Sequence, residues 1–261
     1  AVGQLDGAGR PVLQSLALLG GALQGEGGAQ RASLNARELT LANPGAVAAT
    51  GMSVGGGELA IRADTLTLGA GAKTLAGFGR VALAADELVG SGTGTLNVAG
   101  DFDADLARVR GDVGAQQRVN ATGNLALNTR APDRALPANP ALGAAFAFEG
   151  EALAADTRIE LPSGTARLTA RSGDLTLGAN ARVDAGGREV AFFDVSRASP
   201  AGRVELASGG GSVRVEDGAR IEVSAAGAGD AGQLKISAVA GGIELARGSV
   251  AAAGAGGQAA L

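Results

Sequence analysis

The chain has 261 residues, 46% hydrophobic and 18% charged, a net charge of −4, and no histidine, cysteine, tryptophan or tyrosine. Without cysteine there is no disulfide or thiolate metal site, and without histidine there is no histidine zinc site and no His-based catalytic triad. The acidic balance and an aromatic content of 2% leave neither the basic patch nor the stacking rings that nucleic-acid binding calls for.

Glycine, at 45 residues, would suit a flexible linker. Aliphatic residues at strand period argue otherwise, because they supply apolar surface whose burial offsets the entropy of ordering. A core of Leu, Val, Ile and Ala in thin repeated layers needs few aromatics, so the composition favours a narrow solenoid over a wide sandwich. The longest apolar runs, 16–23 and 141–148, fall short of the roughly 20 residues of a membrane helix. The long alternating strands and aromatic girdles of a membrane barrel are missing too.

Residues 1–33 support two readings. Strands at 15–19 and 21–24 parted by Gly20 and Gly21 compete with a short buried helix over 12–19. From Ser33 onward, aliphatic-x-aliphatic triplets recur: Leu39-Thr40-Leu41, Leu59-Ala60-Ile61, Leu66-Thr67-Leu68, Val81-Ala82-Leu83, Leu96-Asn97-Val98 and Leu125-Ala126-Leu127. Between them lie turn sequences such as Asn43-Pro44-Gly45, Gly55-Gly56-Gly57 and Ser91-Gly92-Thr93-Gly94. First and third residues of a triplet share one face.

The tract 165–257 is the clearest. Leu175-Thr176-Leu177, Val204-Glu205-Leu206, Val213-Arg214-Val215, Ile221-Glu222-Val223, Leu234-Lys235-Ile236 and Ile243-Glu244-Leu245 put aliphatics on one side and mostly charged residues on the other. Such short strands must stack on copies of themselves. Leu59 to Val81 and Leu66 to Leu88 are both 22 residues, Val213 to Leu234 is 21 and Ile221 to Ile243 is 22. The expected fold is all-β: one parallel β-helix over 1–261, with about 21–22 residues per coil and extra-helical loops. On the order of 10–12 coils would make a rod of about 50–60 Å.

Two stretches break the repeat. Residues 129–155 carry Pro132, Pro137 and Pro140, then Phe146 and Phe148, and are expected to leave the helix as an excursion whose Phe-bearing arm folds back. Residues 186–202 hold Val190-Ala191-Phe192-Phe193-Asp194-Val195, expected as one longer strand, then Ser199-Pro200.

Few residues suggest chemistry. Gly69-Ala70-Gly71-Ala72-Lys73-Thr74 lacks the glycines of a phosphate loop and reads as a turn. Asp101, Asp103 and Asp105 alternate as in calcium loops. However, Leu106 and Asp112 stand where such a loop needs Gly and Glu, so solvated surface is expected. No cofactor or metal is expected. Arg110-Gly111-Asp112 is an integrin-type tripeptide, a candidate cell-attachment motif if displayed on a loop and otherwise a strand-ending turn with charged shoulders. Asn120-Ala121-Thr122 has the glycosylation sequon. An enzyme on this fold would need clustered carboxylates with Arg or Lys on adjacent coils, usually beside sugar-stacking aromatics.

Four segments, ELTLANPGA (38–46), LAGFGRVALAADELVGSGTGTLNVAGD (75–101), SGDLTLGANARVDAGGREVAFFDV (172–195) and GGSVRVEDGARIEVSAAGAGDAGQLKISA (210–238), resemble filamentous-haemagglutinin-type exoproteins of Gram-negative two-partner secretion systems. The resemblance covers most of 33–257. It implies a right-handed parallel β-helix, export through a dedicated outer-membrane transporter, a secreted or cell-surface location, and a role in adhesion or display toward a host receptor or glycan. The family's amino-terminal secretion domain carries Asn-Pro-Asn motifs, and Asn43-Pro44-Gly45 here has Gly in the third place. The expectation is therefore an interior stalk segment, not an enzyme, with flanking segments stacked on both ends. The alternative is a polysaccharide-binding or polysaccharide-cleaving β-helix.

Overall fold

A computed structural model of the protein describes residues 1–26, 28–45, 51–131 and 135–254. Among these there is no helix, and the chain winds as a parallel β-helix. Ten coils follow one another. The first holds β1 (Ser15–Leu19) and β2 (Ala22–Gln24), and the second β3 (Arg31–Asn35) and β4 (Glu38–Ala42). Next come β5 (Gly57–Leu68) with β6 (Gly71–Ala76), β7 (Phe78–Gly90) with β8 (Thr93–Val98), and β9 (Asp101–Gly111) with β10 (Gln116–Ala121). Coil six has β11 (Leu125–Thr129) and β12 (Ala145–Gly150); coil seven has β13 (Leu153–Ala155), β14 (Arg158–Glu160) and β15 (Thr165–Ala170). Coil eight has β16 (Leu175–Leu177), β17 (Arg182–Asp184), a hairpin of β18 (Glu189–Phe192) and β19 (Val195–Ala198), and β20 (Arg203–Ser208). Coil nine has β21 (Val213–Val215), β22 (Arg220–Glu222) and β23 (Gln233–Ala238), and the tenth β24 (Ile243–Leu245) and β25 (Val250–Ala251).

The coils build three faces. The first carries β3, the leading halves of β5, β7 and β9, then β11, β13, β16, β21 and β24. The second carries β1, β4, the trailing halves of β5, β7 and β9, then β14, β17, β22 and β25. These two faces count as one 15-stranded sheet because β5, β7 and β9 round the corner unbroken. The third face is the eight-stranded run β2-β6-β8-β10-β12-β15-β20-β23.

Alternation decides what faces inward. Leu59, Val81, Phe102, Leu125, Leu153, Leu175 and Val213 form one continuous ladder of buried side chains through successive coils. Similar ladders on the other faces complete one core from Leu34 to Val223. Glycine matters most where corners of successive coils touch. A Cβ on Gly202 would lie 1.8 Å from the Gly164 oxygen, and one on Gly164 would lie 2.0 Å from the Ala144 oxygen.

Several expectations change. The residues at 15–19 and 22–24 are strands, so the helical alternative for 12–19 is excluded. The excursion is shorter than 129–155. β12 pairs in register with β10 and β15, and Phe146 and Phe148 lie fully buried in the core, stacked at 5.4 Å. Their alternation carried them inward, and only the proline-bearing part leaves the helix; Pro132 itself lies outside the described residues. The expected longer strand at 190–195 is the antiparallel hairpin β18–β19, which turns at Phe193-Asp194 with Phe193 exposed and at φ 53°.

The coil length also varies. Leu59 pairs with Val81, 22 residues on, and Leu153 with Leu175, also 22 on. In the C-terminal tract, however, Val213 pairs with Ile243 and Val204 with Leu234, each 30 residues on. The 21–22 residue separations noted there join strands of different faces. Triplets of identical pattern permit such false matches, and residues 224–232 lengthen coil nine at one corner. The part of this tract beyond residue 254 lies outside the described residues.

Candidate functional site

Among the described residues, coil six places no strand on the second face, so Ile159 of β14 pairs directly with Val109 of β9. The chain between β11 and β12 instead crosses that face as a strap. Asn139 Nδ2 donates to the Glu160 carbonyl at 3.1 Å, and the Gly143 N–H donates to the Pro162 carbonyl at 3.0 Å.

The strap buries Arg108, which is only 3% exposed. Its NH1 donates to the Pro137 carbonyl at 2.6 Å and to Glu160 Oε2 at 2.9 Å, and its Nε donates to Glu87 Oε1 at 3.0 Å. Arg110 Nε donates to the other Glu87 oxygen at 2.9 Å. A buried guanidinium would be costly alone, and this full set of acceptors offsets the desolvation. Burial by itself would raise the Glu87 carboxyl, but hydrogen bonds from Arg108 and Arg110 outweigh it and hold the group below its ordinary range.

Beyond the strap, the second face becomes regular. Arg158-Ile159-Glu160, Arg182-Val183-Asp184 and Arg220-Ile221-Glu222 stack in register in coils seven, eight and nine. The aliphatic residue of each triplet is buried. The other two point outward, giving a row of three arginines beside a row of three carboxylates. Rungs are about 4.8 Å apart along the rod and the rows about 7 Å apart across it. They line a shallow groove of about 380 Å³. Arg182 NH1 donates to the carbonyls of Ala181 and Gly218 at 2.8 and 2.7 Å, and Arg220 NH1 to that of Ala219 at 2.9 Å. Neither makes an ion pair with a described residue. Asp184 pairs with Arg188 at the base of the β18–β19 hairpin, and Glu222 accepts from the Ser224 N–H at 2.8 Å. Strap and hairpin thus both leave the rod beside this face. In solenoids, insertions concentrated on one side commonly mark the binding side.

This face is not apparent from the sequence patterns above. The three Arg-aliphatic-acid triplets were the available signal, but their spacings of 24 and 38 residues hide the register until coil lengths are known.

The residues singled out from the sequence go elsewhere. In Arg110-Gly111-Asp112, Arg110 is held by Glu87, Gly111 ends β9, and Asp112 opens the following turn. A Cβ on Gly111 would lie 2.5 Å from the Ala144 Cβ, so Arg110 and Gly111 are built into the wall, and Asp112 begins the turn that ends the strand. Asp101 accepts from the Asn124 N–H at 2.8 Å, Asp103 pairs with Arg80 at 2.5 Å, and Asp105 accepts from Asn128 at 3.0 Å. All three tie coil five to its neighbours, and Phe102 between them is buried.

Lys73, from the phosphate-loop lookalike, occupies a core rung opposite Leu96. Its Nζ caps the turn, donating to the carbonyls of Gly69 at 2.5 Å and Gly71 at 2.9 Å. Burial lowers its pKa to about 8.

Comparison with protein-family models, curated proteins and solved structures finds no match to this chain.

Proposed function

We propose that this chain is a structural stalk segment of a large filamentous exoprotein, exported through a dedicated outer-membrane transporter of a Gram-negative cell and acting in adhesion or display. One observation carries this reading. A single unbroken core runs from Leu34 to Val223, and the outward polar side chains are largely occupied in joining coil to coil. Such a stack resists bending, and its parallel ladders let folding propagate from one coil to the next.

Catalysis is not favoured. Asp101, Asp103 and Asp105 are engaged with adjacent coils, and the described lining of the second-face groove holds no aromatic ring, Phe193 being exposed at the turn of the neighbouring hairpin instead. Flanking segments of the same protein would continue the stack, for which the edge of β24, with Ile243 and Leu245 exposed, is suited.

The test is export. Residues 1–261 placed behind a family secretion domain, with the matching transporter, should reach the outer surface and become cleavable by added protease. Retention inside the outer membrane would overturn the reading.

A further inference from the structure

We propose that the second face of coils seven to nine is a self-association surface, through which two copies of this rod pair side by side and parallel. The argument is charge complementarity at matched pitch. The face carries a row of Arg158, Arg182 and Arg220 beside a row of Glu160, Asp184 and Glu222, with like charges repeated at every coil. An occupant that meets the rungs of coils eight and nine together must repeat at the same spacing, and a second copy does so by construction. Symmetry selects the orientation. A two-fold axis parallel to the rods lays each arginine row over the partner's carboxylate row. A two-fold axis across the rods lays arginine over arginine and acid over acid, which repels.

Arg182 and Arg220 have free guanidinium donors for this, because their bonds to described residues go from NH1 to main-chain carbonyls. Arg188 would share Asp184 with the partner's arginine. The strap limits the contact on the side of coil six. The hairpin leaves from the carboxylate side of the face, so it would flank the partner rather than separate the two faces. The rungs of coils eight and nine carry the contact, since Glu160 is held by Arg108, so it is small and solvent-rimmed and the association is weak per segment and salt-sensitive. It stands on this geometry alone, and its failure would leave the stalk reading untouched.

The experiment is sedimentation velocity on residues 1–261 at low and high salt. The unmodified chain should self-associate at low salt and dissociate as salt is raised. Arg182→Glu with Arg220→Glu should weaken association about tenfold or more, as should Asp184→Arg with Glu222→Arg. Mixed, the two charge-reversed proteins should form hetero-pairs, because the second face of coils eight and nine is then all acidic on one and all basic on the other. Circular dichroism checks that each remains folded. If a reversed variant does not fold, Arg182→Gln with Arg220→Gln replaces it, and weakened association is again expected. A chain that stays monomeric at low salt, associates regardless of salt, or fails to form hetero-pairs overturns the proposal. So does a chain that stays monomeric while these arginines hold an acidic oligosaccharide.

Discussion

Arg108 of β9 and Glu160 of β14 are joined at 2.9 Å although 52 residues separate them, because the chain skips a coil on that face and straps itself across the gap. The pair belongs to a small buried network with Glu87 and Arg110. It lies on the outer side of the second face beneath the strap, where the helix is least regular.

Arg108→Ala should therefore cost about 3 kcal/mol or more, since it strands Glu160, leaves Glu87 with Arg110 alone and frees the strap. Arg80→Ala, which breaks an exposed pair with Asp103, should cost about 1 kcal/mol or less. Urea midpoints of the two variants decide this, and equal losses would contradict the role given to the network. Because Glu87 is held below its ordinary value of 4.5, its contribution is full above that pH and fades as pH falls through the lower folded value.

Lys73 predicts the opposite pH behaviour. Its folded pKa, about 8, lies below the ordinary 10.5, so between these values the unfolded chain binds more protons and stability rises with pH. The gain is on the order of 3 kcal/mol across the window. The chain has no tyrosine or cysteine, and Lys235 is the only other lysine, so little else titrates there. Melting curves of Lys73→Met should be flat from pH 8 to 10.5, where the unmodified chain gains stability. Parallel curves would refute the assignment.

Gly202→Ala should destabilise by on the order of 3 kcal/mol, because the new Cβ would drive into the Gly164 carbonyl of the coil below. Gly242→Ala meets open space and should change stability by less than about 0.5 kcal/mol. Thermal denaturation of both variants measures the contrast.

Phe146→Ala should cost about 3–5 kcal/mol by opening a cavity beside Phe148. Phe193→Ser, at the exposed hairpin turn, should be within about 0.5 kcal/mol of the unmodified chain. If Phe146→Ala proved silent, β12 would not be the core strand described above.

Asp112→Glu should leave attachment of the purified segment to cultured cells unchanged, since Arg110 and Gly111 are held in the wall by Glu87 and Ala144. Loss of attachment would reopen the cell-attachment reading of this tripeptide.

Strand identity was legible because it is local. Leu59-Ala60-Ile61 or Val213-Arg214-Val215 declares its inward and outward sides without knowing its neighbours. Phe146 and Phe148 obey the same rule and were misplaced only because nearby prolines suggested a longer departure from the helix. The stretch 69–74 reads as a turn from its glycines alone, but that Lys73 turns inward to cap it depends on the turn's three-dimensional path.

The sequence by itself determined that this chain is a stack of short aliphatic strands in parallel coils, because alternation and turn residues act over a few positions. Only the tertiary structure decided which strand lies on which. Register depends on the length of every corner, and those corners range from tight glycine turns to a strap and a hairpin. The buried Arg108 network and the matched rows of Arg182 with Arg220 and Asp184 with Glu222 are consequences of that register, joining residues with no pattern in common until the coils are closed.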